Sequence, residues 1–252
     1  MTGTRKLNIV MPMAGLGSRF RDAGFKVPKP LIDVMGRPMY AWATESLPLN
    51  QSTRLIFILL ASQPELPDLQ RDIEHRYAAY QPIILTVPEL TAGQAVTVLR
   101  AKEFINEDEP LLIHNADTAF DVDPVWVEQT WLESLDGALL VFPSNENRWS
   151  FSRENLQGLV EEVREKKVIS PWATTGTYWF RRGSDFVRAA ETRLKSSQKE
   201  ASEFYVGPLY NDMIAAGAKV KNFLIRKLYC FGTPEDLAAT LRDLQPTGIE
   251  TI

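Results

Sequence analysis

Short aliphatic runs alternate with amphipathic helical patterns through most of this chain, and that alternation restricts its fold more than any other feature. Runs of buried-type residues bounded by turn residues predict strands at Leu7–Met13, Arg54–Ala61, Ile83–Val87, Leu111–Asn115 and Ala138–Phe142. The segments between them predict helices at Met39–Leu47, Leu66–Tyr80, Gln94–Phe104 and Pro124–Leu135. Strands that alternate with helices are typically parallel and joined by right-handed crossovers, so a doubly wound, mostly parallel α/β sheet is expected.

The pattern changes in the second part of the chain. Strands predominate from Trp149 to Phe180, with few helical patterns between them. The remainder alternates again, with predicted helices at Ser184–Ser197 and Gly207–Ala216, a strand at Val220–Cys230 and a closing helix at Pro234–Leu244. No internal repeat or low-complexity linker marks a boundary, so the 252 residues are predicted to form one domain, with halves at 1–145 and 146–252.

A loop that contains two glycines follows the first predicted strand. Residues Ala14–Ser18 read Ala-Gly-Leu-Gly-Ser, and glycine lets a backbone adopt positive φ and come close to a ligand. Consecutive amides in such a turn can form an anion-binding concavity. Arg19 and Lys29 add two cations to the same neighbourhood. This combination predicts a loop that holds a polyphosphate.

Two familiar phosphate loops do not match this segment. A P-loop needs a Lys-Ser or Lys-Thr pair after its glycines, and none follows here. A dinucleotide-binding fingerprint needs a third glycine where this chain has Phe20, and Gly24 comes too late. The loop therefore belongs to another class of phosphate site.

Three segments of the first half resemble the sugar-phosphate nucleotidyltransferases, which make NDP-sugars from nucleoside triphosphates. The run from Gly15 to Arg19, followed by Pro28-Lys29-Pro30, is similar to that family's signature. The segment Pro88–Ala95 looks like its second nucleotide-contacting loop, where a glycine lies against the base and a helix begins. Within it, Thr91 is predicted to be the N-cap of that helix. Asn115-Ala116-Asp117 matches the family's Asn-Gly/Ala-Asp, whose aspartate binds Mg²⁺.

The second half also resembles the family, less closely. Gly158–Lys167 is similar to a strand that ends in Glu-Lys-Pro, whose lysine contacts the phosphate of the acceptor. That lysine would be Lys166, and Lys167 stands where the family has proline, which leaves a register shift of one residue open. Thr174–Phe180 looks like the following strand, with Gly176 as its glycine. The resemblance covers roughly residues 7–241.

The resemblance implies a single-domain, Rossmann-like nucleotidyltransferase fold with a nucleotide-binding half, 1–145, and a β-rich acceptor-binding half, 146–252. It implies attack by an acceptor phosphate, most simply of a sugar 1-phosphate, on the α-phosphorus of an NTP, with loss of pyrophosphate and an NDP-sugar for surface polysaccharide as product. Arg19 and Lys29 would be catalytic, Lys166 and Gly176 would bind the acceptor, and Asp117 would hold Mg²⁺. The implied nucleotide-binding residues are Ala14, Gly15, Gly17, Ser18, Thr91, Gly93 and Gln94. The family's acetyltransferase fusions carry a left-handed β-helix, which is not expected here.

One departure concerns the metal. Thymidylyltransferase-type members have an aspartate two residues before the Gly-Thr that corresponds to Gly232-Thr233, and this chain has Cys230 there. A thiol is a poor ligand for Mg²⁺, which prefers oxygen donors. Either Asp117 suffices with phosphate oxygens and water, or another acid such as Asp212 or Asp236 contributes, or catalysis is lost. Asp236 is interpreted first as a residue of the first turn of the helix after Thr233.

Composition excludes several function classes. The net charge is −4 and no Lys/Arg-rich run occurs, so nothing indicates nucleic-acid binding. No stretch approaches the ~18 apolar residues of a membrane span. The single cysteine, Cys230, rules out an internal disulfide and is typical of a cytoplasmic protein. The sequence is compatible with a homo-oligomer and does not indicate its size.

Two other functions stay open at this point. The nearer one is a cytidylyltransferase for a non-sugar phosphate such as phosphocholine, and the more distant one is a nucleotide-binding regulatory protein that has lost catalysis. Trp149 and Trp172 are interpreted as packing residues, with stacking on a sugar or a choline-like cation as the alternative. His114, within a buried strand, is interpreted as a hydrogen-bonded core histidine, because exchange between ionised phosphates needs no base.

Overall fold

The aliphatic runs of the sequence form the strands of one large sheet. The structure is a computed structural model that describes residues 6–196 and 203–244. Its strands are β1 Leu7–Met13, β2 Asp33–Val34, β3 Arg37–Pro38, β4 Thr53–Leu60, β5 Ile83–Val87, β6 Leu111–His114, β7 Thr118–Asp121, β8 Gly137–Pro143, β9 Ser150–Glu154, β10 Val160–Glu165, β11 Trp172–Phe180, β12 Val220–Leu224 and β13 Lys227–Cys230.

Helices cover both faces of this sheet. They are α1 Ser18–Asp22, α2 Met39–Glu45, α3 Leu66–Arg76, α4 Gln94–Val98, α5 Lys102–Ile105, α6 Trp126–Leu132, α7 Gly183–Lys195, α8 Leu209–Ala215 and α9 Pro234–Leu244. Short 3₁₀ turns occur at Lys29–Leu31, Ala78–Tyr80 and Leu99–Ala101. Among the described residues, no helix is both long enough and apolar enough to cross a membrane.

The sheet consists of a parallel part and an antiparallel part. In the parallel part, the order is β5-β4-β1-β6, and Val10 of β1 lies between Ile56 of β4 and Ile113 of β6. β11 then runs antiparallel to β6, and β8 runs antiparallel to β11. β12 extends the sheet parallel to β8, while β9 and β10 form a hairpin beside the start of β11. The predicted α/β fold with a mostly parallel central sheet and flanking helices is confirmed.

Apolar clusters hold the helices against the two faces. Val10 packs on one face with side chains of α4, α5, α7 and α8, while Ile9 and Met11 pack on the other with side chains of α2, α3 and α6. Each of these three residues is 0% exposed. Complete burial of such a side chain stabilises the fold by roughly 1.5–3 kcal/mol. A strand that is buried on both faces, such as β1, is therefore mostly apolar.

A third, smaller apolar cluster fixes the segment that carries Lys29. Phe20 of α1, Phe231 after β13 and Leu237 of α9 are buried together. The cluster also contains Ile32, which immediately follows the 3₁₀ turn at Lys29–Leu31, and Val34 two residues later. It therefore holds this turn against the segment that leads into α9, although the two are about 200 residues apart in sequence.

Several predicted elements are confirmed and others differ. β1, β5 and α9 have their predicted bounds, and Ser197, the predicted end of α7, lies outside the described residues. A 3₁₀ turn at Leu99–Ala101 interrupts the predicted helix Gln94–Phe104. The turn follows Val96-Thr97-Val98, and these three β-branched residues are poor helix formers.

The predicted strand Val220–Cys230 is two strands. After β12 the backbone amide of Ile225 still donates to Val141 of β8, but that of Arg226 donates to Asp121 of β7. The chain thus leaves the main sheet and pairs β13 with β7 in a small antiparallel sheet. Hydrophobic patterns cannot show this change of partner, because they do not specify which neighbouring strand a segment pairs with.

Candidate active site

A cleft of about 650 Å³ opens at the carboxyl ends of β1 and β6 and continues along β10 and β11. The walls contain Met13 at the end of β1 and Asn115 and Asp117 after β6. They also contain Lys166 after β10 and Gly176 within β11. Ligands of open α/β sheets bind at this edge, because the loops that follow parallel strands meet there.

Most of the predicted site residues line this cleft. Those that do are Gly15, Gly17, Arg19, Lys29, Gln94, Asp117, Lys166 and Gly176. Those that do not are Ala14, which belongs to the apolar core, Ser18, which is exposed at the start of α1, and Thr91 and Gly93. The structure therefore brings together cations and an acid that lie up to about 150 positions apart in the chain.

The glycine loop packs closely against Lys29. Gly17 has φ +58° and precedes α1, and a β-carbon on it would lie 2.9 Å from Cβ of Lys29. The carbonyl of Gly15 accepts a hydrogen bond of 3.0 Å from the side-chain amide of Gln63. Both glycines border the cleft, so their backbone is accessible to a ligand there.

Lys29 and Asp117 form an ion pair in the cleft wall. Nζ of Lys29 lies 2.5 Å from Oδ2 of Asp117 and donates a second hydrogen bond of 3.0 Å to the carbonyl of Gly232. Although burial opposes ionisation of this carboxyl, the Lys29 ammonium holds the pKa of Asp117 below its usual range. Asp117 is therefore a carboxylate at neutral pH.

The loop before α4 differs from its prediction at Thr91. The helix begins at Gln94 and its N-cap position is Gly93, with φ +137° and no side-chain cap. The Thr91 hydroxyl donates to the carbonyl of Gly93 and lies 2.6 Å from the Thr97 hydroxyl. The prediction of Thr91 as N-cap is wrong, because the turn at Gly93 places this hydroxyl beside a carbonyl instead of the first free amides of the helix.

Gly93 and Gln94 have different surroundings. Gly93 is buried, and a β-carbon on it would lie 2.5 Å from the backbone nitrogen of Phe204. Gln94 points its amide into the cleft region, where Nε2 donates a 2.5 Å hydrogen bond to Oδ1 of Asn115. Gly176, at φ +79°, leaves room for the same asparagine, since a β-carbon there would lie 2.1 Å from its Nδ2.

Lys166 lies at the other end of the cleft, after β10. Its φ is +54°, and its amide donates a 3.0 Å hydrogen bond to the carbonyl of Trp149. Nζ donates to the hydroxyl of Tyr205 at 2.8 Å and lies 5.1 Å from that ring's centre. The hydrogen bond to Tyr205 raises the pKa of Lys166. Lys166 lines the cleft and Lys167 does not, and the role of Lys166 toward an acceptor phosphate stays a prediction.

The contacts of Trp149, Trp172 and His114 show which of them face the cleft and which pack in the core. Trp149 lines the cleft, with its ring edge-on to Phe142, while Trp172 packs against the apolar core. His114 is fully buried, with Nδ1 2.8 Å from the Thr177 hydroxyl and Nε2 2.6 Å from the carbonyl of Thr118. Burial lowers its pKa to about 4, which confirms a neutral core histidine.

Arg148 is a cleft residue that the sequence patterns do not indicate. Its Nη1 lies 2.9 and 2.8 Å from the two carboxylate oxygens of Asp236, and its Nε lies 2.8 Å from Oε2 of Glu146. The guanidinium carbon is 4.5 Å from the ring centre of Trp149. No local motif could have found it, because its main partner is 88 positions away.

Cys230 also lines the cleft, on the same side as Asp117. Burial raises the pKa of its thiol to about 12, so the sulfur is protonated at neutral pH. Asp236 closes the first turn of α9, where its Oδ2 accepts the Thr233 amide at 3.1 Å. Asp212, the other candidate acid, is ion-paired with Arg193 at 3.0 Å and does not line the cleft.

The sequence matches the family model described as "Nucleotidyl transferase" over residues 8–244, nearly the whole chain. The protein belongs to the nucleotidyl transferase family. Among curated proteins, none matches this sequence. The family match and the similar structures confirm the resemblance to the sugar-phosphate nucleotidyltransferases and establish the protein as a nucleotidyltransferase enzyme.

Solved structures of related enzymes share its fold. A nucleoside-diphosphate-sugar pyrophosphorylase from Vibrio cholerae is 29% identical, with a TM-score of 0.81 and coverage of 93% of this chain and 99% of that one. A putative glucose-1-phosphate thymidylyltransferase from Bacillus anthracis is 17% identical, with a TM-score of 0.76 and 96% coverage of both chains. An inositol-1-phosphate CTP transferase from T. maritima is also 17% identical, with a TM-score of 0.72 and coverage of 96% and 98%.

The donor set of this nucleotidyltransferase suits Mg²⁺ only in combination with a substrate. The described residues contain no group of three or more His, Cys, Asp or Glu side chains that could hold a metal ion. Asp117 offers one hard carboxylate, whereas the protonated Cys230 thiol is a poor donor. Mg²⁺ is commonly held by one or two carboxylates together with substrate phosphates and water, and Asp117 fits that mode.

Proposed function

We propose that this nucleotidyltransferase transfers a nucleoside monophosphate from an NTP to a sugar 1-phosphate, releasing pyrophosphate and forming an NDP-sugar. One observation carries the proposal. The cleft has cations at both ends, Arg19 and Lys29 beside the glycine loop and Lys166 beside Trp149, and its Asp117 carboxylate contacts Lys29. Such a site suits two phosphorylated substrates that meet near the Asp117 carboxylate.

The glycine loop and Arg19 would bind the triphosphate. The backbone of Gly15 and Gly17 borders the cleft, and amides in such a turn suit anionic oxygens. Arg19 would neutralise charge on the departing β- and γ-phosphates, for which its planar fork allows two parallel hydrogen bonds. The chemistry needs no covalent enzyme intermediate, so positioning and charge stabilisation are the enzyme's main contributions.

Lys29 and Asp117 would act at the reacting phosphate. We propose that Lys29 exchanges its contact with Asp117 for a phosphate oxygen, which leaves the Asp117 carboxylate to a cation. Mg²⁺ held there would supply neutralisation of the α-phosphate charge. The residues thereby keep the local charge balanced while the phosphorus is attacked.

The acceptor end would recognise both a phosphate and a polyhydroxylated ring. Lys166 would orient the attacking phosphate, and Gly176 lets the backbone of β11 lie close to the acceptor. Glu165 and Glu203 line the same end, and carboxylates accept hydrogen bonds from sugar hydroxyls. Trp149 provides an aromatic wall on which a sugar ring can stack.

We further propose that the product serves surface-polysaccharide synthesis and that the enzyme works in the cytoplasm. Only the resemblance of its loops to enzymes of that kind supports the first point. The second is supported by the single cysteine, which is typical of a reducing compartment, and by the occurrence of NTP substrates there.

Pyrophosphate release tests the proposed reaction. The purified protein is incubated with Mg²⁺, each NTP in turn including dTTP, and pools of either sugar 1-phosphates or phosphoalcohols such as phosphocholine. We expect release that requires one nucleotide, the sugar 1-phosphate pool and Mg²⁺, and that is lost in Lys29→Ala. Pyrophosphate release with the phosphoalcohol pool but not with the sugar 1-phosphate pool would show that the acceptor is not a sugar. NTP binding without any pyrophosphate release would indicate a nucleotide-binding protein without this activity.

A further inference from the structure

Arg148 is held by three contacts that together leave its guanidinium little freedom. Asp236 accepts hydrogen bonds from Nη1, Glu146 forms an ion pair with Nε, and the Trp149 ring lies against the face of the guanidinium. The Arg148 side chain is 42% exposed and that of Asp236 only 13% exposed. An ion pair of this kind, anchored on several sides, fixes geometry better than an isolated surface pair.

The partner of Arg148 holds one peptide group of the cleft wall. Oδ2 of Asp236 accepts the amide of Thr233, and the Thr233 hydroxyl in return accepts the amide of Asp236 at 3.2 Å. This reciprocal arrangement is a capping box at the start of α9. The Thr233 amide shares a planar peptide group with the carbonyl of Gly232, so Asp236 also fixes the direction of that carbonyl.

The Gly232 carbonyl is one of the two groups that hold the ammonium of Lys29. It accepts a 3.0 Å hydrogen bond from Nζ, and the other acceptor is Asp117 at 2.5 Å. A continuous series of hydrogen bonds therefore leads from Arg148 through Asp236 and one peptide group to Lys29. At the other side of Arg148, the carbonyl of Trp149 accepts the Lys166 amide.

We propose that Arg148 and Asp236 are positioning residues that set the place of the Lys29 ammonium for the transfer reaction. This inference rests on the proposed function for its kinetic consequence. Arg148 contributes through Lys29 and not through its own contact with substrate. The next residue, Trp149, accepts the backbone amide of Lys166. The segment Arg148-Trp149 therefore contacts both the lysine of the nucleotide end, through Asp236, and the lysine of the acceptor end.

Arg148→Gln is the main variant, because it removes the ion pair and leaves the capping box of α9 intact. Asp236→Asn is the second variant, since an asparagine oxygen can still accept the Thr233 amide while the charge for Arg148 is lost. Arg153→Gln is the matched control. Arg153 lies on the neighbouring strand β9, is 47% exposed, is ion-paired with Glu161 and Glu162, and does not line the cleft.

Steady-state kinetics in two backgrounds test the route through Lys29. Arg148→Gln and Asp236→Asn should each lower kcat about tenfold and change the KM for NTP less than about twofold. In a Lys29→Gln background, Arg148→Gln should change kcat less than about twofold, because the group it positions is already gone. An equal tenfold loss in both backgrounds would overturn the proposal, as would unchanged kcat in the Arg148 and Asp236 variants.

A structural measurement keeps the inference testable if no substrate pair is found. In protein with ¹³C-labelled lysine, the Lys29 side-chain signal is assigned by its loss in Lys29→Gln. Arg148→Gln and Asp236→Asn should shift this signal, and Arg153→Gln should not. An unshifted signal overturns the positioning role, whereas absence of pyrophosphate release from the wild type counts only against the proposed reaction. The melting temperatures of the three variants should agree with that of the wild type within about 2 °C, which excludes general destabilisation.

Discussion

The parallel and antiparallel parts of the sheet build the two ends of the cleft in different ways. At the parallel part, the site residues follow directly after β1 and β6, and a lysine from the next segment pairs with the acid after β6. At the antiparallel part, Lys166 comes from a hairpin, Gly176 from the middle of a strand and Tyr205 from a segment between helices. One end follows from topology, and the other depends on contacts between distant segments.

The lysines of the two ends differ in the same way. Lys29 is held by a carboxylate and a carbonyl, and its side chain is 18% exposed. Lys166 is held by a phenol and an aromatic face and is exposed. The ammonium with the stronger partners is the one that we place at the reacting phosphate, since electrostatic stabilisation requires fixed charges.

Removal of each lysine gives the largest expected contrast. Lys29→Ala, and likewise Arg19→Ala, should lower kcat by about 10²–10³, the scale of losing one charge-stabilising donor. Lys166→Ala should act mainly on the acceptor, raising its KM about tenfold with a smaller change in kcat. Steady-state kinetics with both substrates varied measure this, and near-normal turnover of the Lys29 or Arg19 variant would remove that residue from the mechanism.

Two glycines that were both predicted to bind nucleotide should respond differently to alanine. Gly93→Ala places a β-carbon against the Phe204 backbone at φ +137° and should lower the free energy of unfolding by about 3 kcal/mol. A β-carbon on Gly15 meets nothing within 4 Å, so Gly15→Ala should stay within about 1 kcal/mol. Urea unfolding measures both, and equal losses would contradict a tight contact between Gly93 and the Phe204 backbone.

The junction of the two parts contains His114, and its burial predicts a pH dependence of stability. The folded pKa is about 4, and the unfolded value is about 6.5. Below about pH 6.5 only the unfolded chain takes up this proton, so the contribution of His114 to stability is lost as pH falls. Through His114 alone, the free energy of unfolding should fall by about 1.6 kcal/mol between pH 6.5 and pH 5.

Urea unfolding at several pH values tests this contribution. His114→Gln should flatten the slope in that interval. His75, which is exposed on α3, is the matched control, and its replacement by glutamine should leave the slope as in the wild type. A wild-type slope in His114→Gln would show that other groups cause the pH dependence.

The proposed metal site can be tested by introducing at position 230 the aspartate that thymidylyltransferase-type members of the family have there. Cys230→Asp should strengthen Mn²⁺ binding in the presence of NTP about tenfold, because a second hard oxygen joins Asp117 on the same wall. Electron paramagnetic resonance of Mn²⁺ measures the affinity, with Cys230→Asn as the uncharged control. Unchanged affinity in the aspartate variant would place residue 230 outside the metal's reach.

The smallest expected effect lies at the acceptor end. Tyr205→Phe removes the hydroxyl that accepts from Lys166 and keeps the ring, so the acceptor's KM should rise about threefold. Tyr229 is a matched control, because its ring lies equally 5.1 Å from a lysine, Lys227, but does not line the cleft. A similar rise in Tyr229→Phe would mean that the effect is not local to the site.

The sequence predicts the parallel part well because its rules are local and topological. Aliphatic runs gave β1 and β5 with correct bounds, and the glycine loop, Lys29 and Asp117 meet where the ends of parallel strands meet. The roles of these residues in binding and catalysis remain predictions. The prediction for Thr91 fails because a cap depends on the turn at Gly93, which the residue types do not show.

The antiparallel part is harder to predict because its contacts join residues far apart in sequence. Arg148 contacts Asp236, which is 88 positions away in the sequence. The split of Val220–Cys230 arises because β12 pairs with β8 and β13 pairs with β7. Such pairings have no periodicity that a single sequence can display. Lys166 could be predicted because its segment resembles a family motif, whereas no motif indicated Arg148.

The left-handed backbone of Lys166 has a consequence for attempts to stabilise the enzyme. At φ +54° a side chain with a β-carbon costs about 1 kcal/mol relative to glycine. A screen for thermal resistance that rewarded relief of this strain would select Lys166→Gly and would discard the lysine that we propose orients the acceptor phosphate. Thermal stability and the proposed role in acceptor binding therefore oppose each other at this residue. Position 166 should be kept as lysine when the enzyme is selected for thermal stability.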